Sequence, residues 1–225
     1  MKWLGCLVLA ACAAQGDPRM LCSHSLDDAG NDPTWLDLDE RFAAARANHE
    51  VLLFHGHKPG EDMQVSTIAD VIELARRNDL PMLRYDEIAT ATRGGIALAI
   101  DDDAIDEWFA LRELFAQTST HVTFFVTRWA YKSPAQLDEL LTLAADGHEL
   151  EPHTVDHQHA IAYEHDHGID AWLAEQVDPS IQIMRDAGFE PQFLAYPFGE
   201  RDADLDRAAL ERVQAVRATG HYCVR

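Results

Sequence analysis

Basic residues are scarce in this chain. Against 39 Asp and Glu stand only 18 Lys and Arg, a formal net charge of -21 over 225 residues. A phosphate backbone demands clustered cations, so this balance argues against nucleic acid as a partner. It disfavours strongly anionic glycans for the same reason and suits a neutral or partly cationic polymer. Acidity of this kind also keeps a protein soluble. A long apolar run is missing too. The stretch from Trp3 to Ala14 falls short of the roughly 20 residues that a spanning helix needs. Internal repeats are absent, and the one biased tract is a histidine-rich stretch from His157 to His167.

What is present is a chain 47% hydrophobic and 25% charged, suited to one globular domain with a sizeable core. After a segment rich in Asp, Gly and Ser to about Pro33, the pattern predicts a helix from Thr34 or Leu36 to Ala47. Strands are predicted at 51–55, 80–85, 95–101, 121–126, 148–153, 193–198 and 215–219. Helices are predicted near 65–78, 104–117, 133–146, 170–187 and 203–213. Such alternation implies a mainly parallel sheet, open or closed into a barrel.

The residues that carry chemistry sit at the predicted strand ends. Gly95-Ile96-Ala97-Leu98-Ala99-Ile100 is continuously apolar, as expected of a strand buried on both faces, and it ends on Asp101-Asp102. Strand C-termini are where alpha/beta folds place ligand sites. A second segment, Gly147 to Pro152, ends on His153-Thr154-Val155-Asp156-His157. Two imidazoles and one carboxylate are the usual protein ligands of a catalytic divalent metal, and the second carboxylate is left free as a base. The reading is hydrolytic. The charged stretch His159, Glu164, His165, Asp166, His167 reads as a solvated polar loop, with a second metal site or a substrate-contacting loop as the other readings, and Trp108, Phe109, Leu111, Leu114 and Phe115 read as core. His55 and His57 end the 51–55 strand on the same face and line the cleft or a plain turn.

These blocks resemble the polysaccharide deacetylases of carbohydrate esterase family four, the NodB-like domain. Gly95 to Val126 is similar to the family's strand, Asp-Asp pair, helix and next strand. Gly147 to His157 is similar to its His-Thr-x-x-His block, and Ala195-Tyr196-Pro197-Phe198-Gly199 to its third motif. The resemblance covers roughly residues 50 to 220 and implies a distorted (β/α) barrel. It makes Asp101 the general base and Asp102, His153 and His157 the ligands of a divalent metal. Zinc is the first expectation, with cobalt, nickel or manganese accepted by the same donors. It further places an oxyanion-stabilising N–H near Tyr196 to Phe198. Tyr196, Pro197 and Phe198 then shape a sugar subsite, the competing reading of Tyr196 and Phe198 being core packing.

Departures from the family pattern carry their own expectations. Asp103 stands where the family has glycine, and reads as crowding the metal or adding a ligand. The third motif lacks the arginine with which many members orient the base. No Leu-x-His segment follows the third motif to supply a general acid. His221 is the nearest terminal histidine, and the barrel reads as short of its last β/α unit.

Met1-Lys2 and the apolar stretch after it suit a signal peptide. Leu9-Ala10-Ala11-Cys12 resembles a bacterial lipobox, which implies cleavage before Cys12, lipidation of its thiol and export; an ordinary cleaved signal is the other reading. The expected organisation is a signal at 1–11, a linker at 12–33 and the deacetylase-like domain at 34–225. Of the 4 cysteines, this leaves Cys22 and Cys223 for a disulfide. The expected function is that of an exported, lipid-anchored, metal-dependent deacetylase acting on an N-acetylated or O-acetylated glycan. The alternative is a catalytically weak, glycan-binding envelope lipoprotein.

Overall fold

The computed structural model of the chain describes residues 17–27 and 38–220. The signal segment, Cys12, His221, Cys223 and the start of the first predicted helix lie outside the described residues. Among the described residues there are eight strands: β1 (Met20–Ser25), β2 (Val51–Gly56), β3 (Met82–Leu83), β4 (Gly95–Asp102), β5 (Thr123–Val126), β6 (Glu149–Pro152), β7 (Phe193–Ala195) and β8 (Ala215–Thr219). Their order is β6-β5-β4-β2-β1-β8-β7, with β3 added to β4, and every pairing is parallel. The sheet curls nearly into a barrel. At the seam between its ends the Glu151 carboxylate on β6 accepts the backbone N–H groups of Gln192 and Phe193, where β7 begins.

Parity along the strands sorts the side chains. Val51, Leu53, Ala97, Ala99, Phe125, Ala195 and Ala215 fill the inside of the barrel. Their neighbours Leu52, Phe54, Ile96, Leu98, Ile100 and Phe124 pack outward against helices. Strands covered on both faces read as continuous apolar runs, which is why β2 and β4 were visible in the sequence. At the C-terminal ends the inward positions turn polar: Ser23, His55, Asp101, His153 and Arg217 are all buried there.

The helices are α1 (Leu38–Asn48), α2 (Val65–Arg77), α3 (Tyr85–Ile88), α4 (Ile105–Phe109), α5 (Arg112–Thr118), α6 (Pro134–Ala145), α7 (Ala160–His167), α8 (Ile169–Trp172), α9 (Asp178–Asp186) and α10 (Ala203–Ala209). Helix α2 buries Ile68, Val71, Ile72 and Ala75, one stripe at helical spacing. A capping box sets the start of α6, Gln136 N–H donating to Ser133 Oγ and Ser133 N–H to Gln136 Oε1, with Pro134 preorganising the first turn.

Several expectations are corrected. The segment read as linker contains β1, which pairs with β2 on one side and β8 on the other. Its short run of Ser, His and Cys carries little strand signal of its own, and long-range pairing makes it a strand. The predicted strand at 80–85 shrinks to Met82–Leu83. The helix predicted at 104–117 is two, because Leu111 bonds back to Trp108 and tightens the turn. The helix predicted at 170–187 carries a π turn at Leu173–Val177. Pro179 lacks an N–H and its ring crowds the preceding turn, and a π turn absorbs that misfit. The histidine-rich stretch is not wholly a loop: from Ala160 to His167 it forms α7, which buries Ala160, half-buries Tyr163 and Glu164 and exposes His165, Asp166 and His167. Cys22 is disulfide-bonded, and the other three cysteines lie outside the described residues.

Candidate active site

The site is built at the mouth where β4, β6 and β8 end. Asp101 and Asp102 close β4. Alternation along the strand puts Asp101 inside the barrel, 1% exposed. Asp102 leaves the strand with a left-handed backbone, φ 84°, which turns its carboxylate toward the β6 end. His153 follows Pro152 directly. Its Nδ1–H donates to the Ala195 carbonyl at 2.8 Å, and that fixes the tautomer so that Nε2 carries the lone pair.

His157 is held by the conformation of its loop. Thr154 and His157 both have positive φ, 64° and 57°. Backbone strain of this kind persists only where surroundings enforce it. Here the enforcing residue is Gln176, buried in the π turn: its carbonyl accepts Val155 N–H, its Oε1 accepts Asp156 N–H and its side-chain amide donates to Asp156. Thr127 Oγ1 adds a hydrogen bond to the Thr154 carbonyl.

Asp102, His153 and His157 therefore converge, one donor atom from each lying within 4.8 Å of the others. Asp102 Oδ1 is 3.0 Å from His157 Nε2 and 3.4 Å from His153 Nε2. Asp102 Oδ1 and His157 Nε2 are buried without a hydrogen-bond partner. Buried polar atoms are normally satisfied, so aimed and unsatisfied donors of this chemistry fit a divalent cation. Burial works against the charge on Asp102, yet both histidines hold its pKa far below the ordinary range.

Asp101 stands beside this triad and outside it. Arg217, 1% exposed on β8, makes a buried ion pair with the Asp101 carboxylate. Burial would push the Asp101 pKa up; Arg217 overrides it and holds the carboxylate below the ordinary aspartate range. The guanidinium also lies over the Phe125 ring, 5.1 Å from its centroid. An arginine on Asp101 is thus present, from β8 rather than the third motif. A lone charged residue inside the apolar run Ala215-Val216-Arg217-Ala218 was its only sequence signal.

The third motif divides. Tyr196 points away from the cleft: fully buried, it stacks on Trp172 and its hydroxyl donates to Asp206. Of its two readings, core packing is the one seen, because position 196 has the outward parity. Pro197 is buried, and Phe198 is 47% exposed. The Phe198 ring lies 4.6 Å from that of His157 and stacks on His159 at 3.7 Å. Tyr196 N–H is consumed by the Arg217 carbonyl and Pro197 has none, so Phe198 N–H is the backbone donor left for an oxyanion. Asp103 neither crowds the triad nor joins it. Its carboxylate pairs outward with Arg128 at 3.3 Å and Lys132 at 3.5 Å.

The family model for polysaccharide deacetylase matches residues 89–216, more than half of the chain, including Asp101, Asp102, His153, His157 and Phe198. The chain belongs to the polysaccharide deacetylase family. The chain is also 32% identical to a gellan lyase of a Bacillus species over 129 residues, 56% of this chain and 5% of that protein, so it spans a small fraction of that relative. Among solved structures it resembles IcaB from Ammonifex degensii, with TM-score 0.60, 15% identity, and coverage of 75% of this chain and 84% of that one. A de-N-acetylase from Aggregatibacter actinomycetemcomitans gives TM-score 0.59 and 14% identity over 76% of this chain and 87% of that one. These likenesses establish the fold, a nearly closed parallel (β/α) barrel of the NodB type.

Proposed function

We propose that this polysaccharide deacetylase removes N-acetyl groups, or O-acetyl groups, from a cell-envelope or extracellular glycan, and that it does so with a divalent metal held by Asp102, His153 and His157. The observation that carries the reading is the meeting of those donors beside a separate, ionised and fully buried Asp101. Zinc suits the donor set, and cobalt, nickel and manganese are accommodated by the same chemistry. Bound there, such an ion supplies Lewis acidity, bringing the pKa of a water to about 7 and polarising the acetyl carbonyl.

The chain's own residues do the rest. Asp101 takes the proton of the attacking water, and Arg217 keeps it ionised so that it is ready as a base. Phe198 N–H offers a hydrogen bond to the developing oxyanion, a contribution typically of a few kcal/mol when the donor is preorganised. The exposed Phe198 ring at the mouth gives an apolar face for a sugar. The net charge of -21 favours a neutral or partly cationic product polymer such as one rich in glucosamine. Asp103, occupied by Arg128 and Lys132, lends no support to a non-catalytic role. Export and a lipid anchor on Cys12 belong to the same proposal, supported by the sequence Leu9-Ala10-Ala11-Cys12.

The test is acetate release from N-acetylglucosamine oligomers and from acetylated xylan, by protein stripped with chelator and then reloaded with zinc or cobalt. Metal-dependent release is expected on at least one polymer. Metal bound at one equivalent with no release from either would favour the glycan-binding alternative.

A further inference from the structure

The end of the barrel opposite the metal donors carries a second concavity. It lies between the last turn of α5 and the turn from α6 into β6, where β5 and β6 begin. Its volume is about 610 Å³, within the roughly 300–1,000 Å³ of small-molecule sites. His148 stands at this end of β6 and His153 at the other, so about 16 Å of strand separates the two sites at about 3.3 Å per residue. His148 is the informative residue, being 6% exposed and part of the cavity wall. Its Nδ1 accepts the Val122 backbone N–H at 3.1 Å, which puts the ring proton on Nε2. Among the described residues Nε2–H has no partner. Phe115 and Phe124 hold the ring, with centroids 5.0 and 5.4 Å away. Burial, and then His121, push the His148 pKa down to about 4, so the ring is a neutral donor at neutral pH. Buried polar groups are normally paired, and this one is left for a ligand.

The rest of the lining decides which ligand. Arg112 donates from Nε and Nη2 to the two carboxylate oxygens of Asp146, at 2.5 and 3.0 Å. The Glu113 carboxylate accepts from the Gln117 amide. No unpaired Lys or Arg therefore lines the cavity, and an anion would find no counter-charge. A metal is disfavoured too, because among the described residues only Asp102, His153 and His157 gather three donor atoms. The His121 ring is exposed and stands edge-on to His148, centroids 5.8 Å apart. Gly147 makes room for it: a Cβ there would come within 2.9 Å of His121 Nε2, and φ 99° suits glycine alone. The wall thus offers a neutral N–H, the Ser119 hydroxyl, a planar Arg–Asp pair that both donates and accepts, and apolar surface from Phe115 and Ala116. Alternating donors and acceptors beside a flat ring match a neutral ligand that carries hydroxyls on one side and C–H groups on the other.

We propose that this cavity is a second, non-catalytic glycan site, which binds a pyranose unit of the polymer on which the mouth acts. An oxygen of the sugar accepts from His148 Nε2–H, its hydroxyls meet the Arg112–Asp146 pair, and its C–H face lies on the His121 ring. The inference rests on the glycan substrate of the deacetylase reading. Two points of attachment to one polymer raise its local concentration at the mouth without touching the chemistry there.

Ala116→Leu tests this, since Ala116 is an exposed residue of α5 on the cavity wall, away from the core and the metal donors. With zinc-loaded protein, the variant should keep kcat and KM on the N-acetylglucosamine dimer and its thermal unfolding, while KM on the long polymer rises at least about fivefold. Imidazole NMR reads the site itself. Millimolar N-acetylglucosamine dimer or xylose oligomer should move the His121 and His148 signals in the wild type and leave them in place in Ala116→Leu. Signals unmoved by either sugar, movement with sulfate alone, or equal polymer KM in the two proteins would overturn the second site and leave the deacetylase reading intact. Imidazoles that respond to sugar in a zinc-loaded protein releasing no acetate would do the reverse, upholding the site and removing the deacetylase reading.

Discussion

Two carboxylates occupy one register row inside the barrel, Asp101 on β4 and Glu151 on β6, with Phe125 of β5 between them. They are equally hidden, 1% and 2% exposed, yet they lean in opposite directions. Arg217 faces Asp101 and holds it ionised. Among the described residues no cation pairs with Glu151. Burial first, and the nearby Glu149 second, push its pKa well up, while the backbone N–H groups of Gln192 and Phe193 partly offset this. Burial therefore does not decide which carboxylate stays charged; the cation does. One carboxylate is held ionised beside the candidate metal ligands, and the other closes the seam of the sheet.

The sharpest way to break that contrast is Asp101→Asn. It should lower the rate of acetate release by about two to four orders of magnitude while metal still binds at one equivalent, because general-base catalysis is worth that much. Arg217→Met comes next. Removing one partner of a buried ion pair leaves a stranded charge and should cost about 3 to 5 kcal/mol in denaturant unfolding. It should also move the acidic limb of the rate profile to higher pH. Adding Asp101→Asn to that variant should recover part of the lost stability, since no charge is then stranded.

Glu151→Gln should be milder, on the order of 1 kcal/mol, because the amide oxygen can still accept the seam N–H groups. Its signature is in the pH dependence. Glu151 has a raised folded pKa, so its contribution to stability is full below the ordinary glutamate range and is lost as pH rises through the raised value. Asp101 has a depressed one, so its contribution is present above the ordinary aspartate range and is lost as pH falls through the lowered value. Thermal unfolding across pH should accordingly be flatter on the alkaline side in Glu151→Gln than in the wild type. Phe198→Ala should have the smallest effect, a rise in KM of a few fold on oligomeric substrate, with stability nearly unchanged because the ring is exposed.

What was legible in the sequence was local. The continuous apolar run before Asp101, the short His-x-x-x-His spacing and the alternation of strands with helices each declare themselves within a few residues. The structure accordingly brings Asp101, Asp102, His153 and His157 to one mouth. What was hidden depends on partners far along the chain. Arg217 meets Asp101 across 116 residues. The His57 ring is held by Asp27, 30 residues before it. Strand β1 exists because β2 and β8 flank it, and Tyr196 leaves the cleft because strand parity sends it outward. The direction of Asp103 was equally hidden, being decided by Arg128 and Lys132 on the loop beyond β5.

The most direct measurement of the central claim is a carbon NMR titration of the side-chain carboxyls of Asp101 and Glu151 in the same metal-free sample. The account predicts that Asp101 stays ionised to below the ordinary aspartate range while Glu151 keeps its proton above the ordinary glutamate range. Coincident titrations, or Asp101 holding its proton longer than Glu151, would contradict the assignment of Arg217 as the group that makes Asp101 a base.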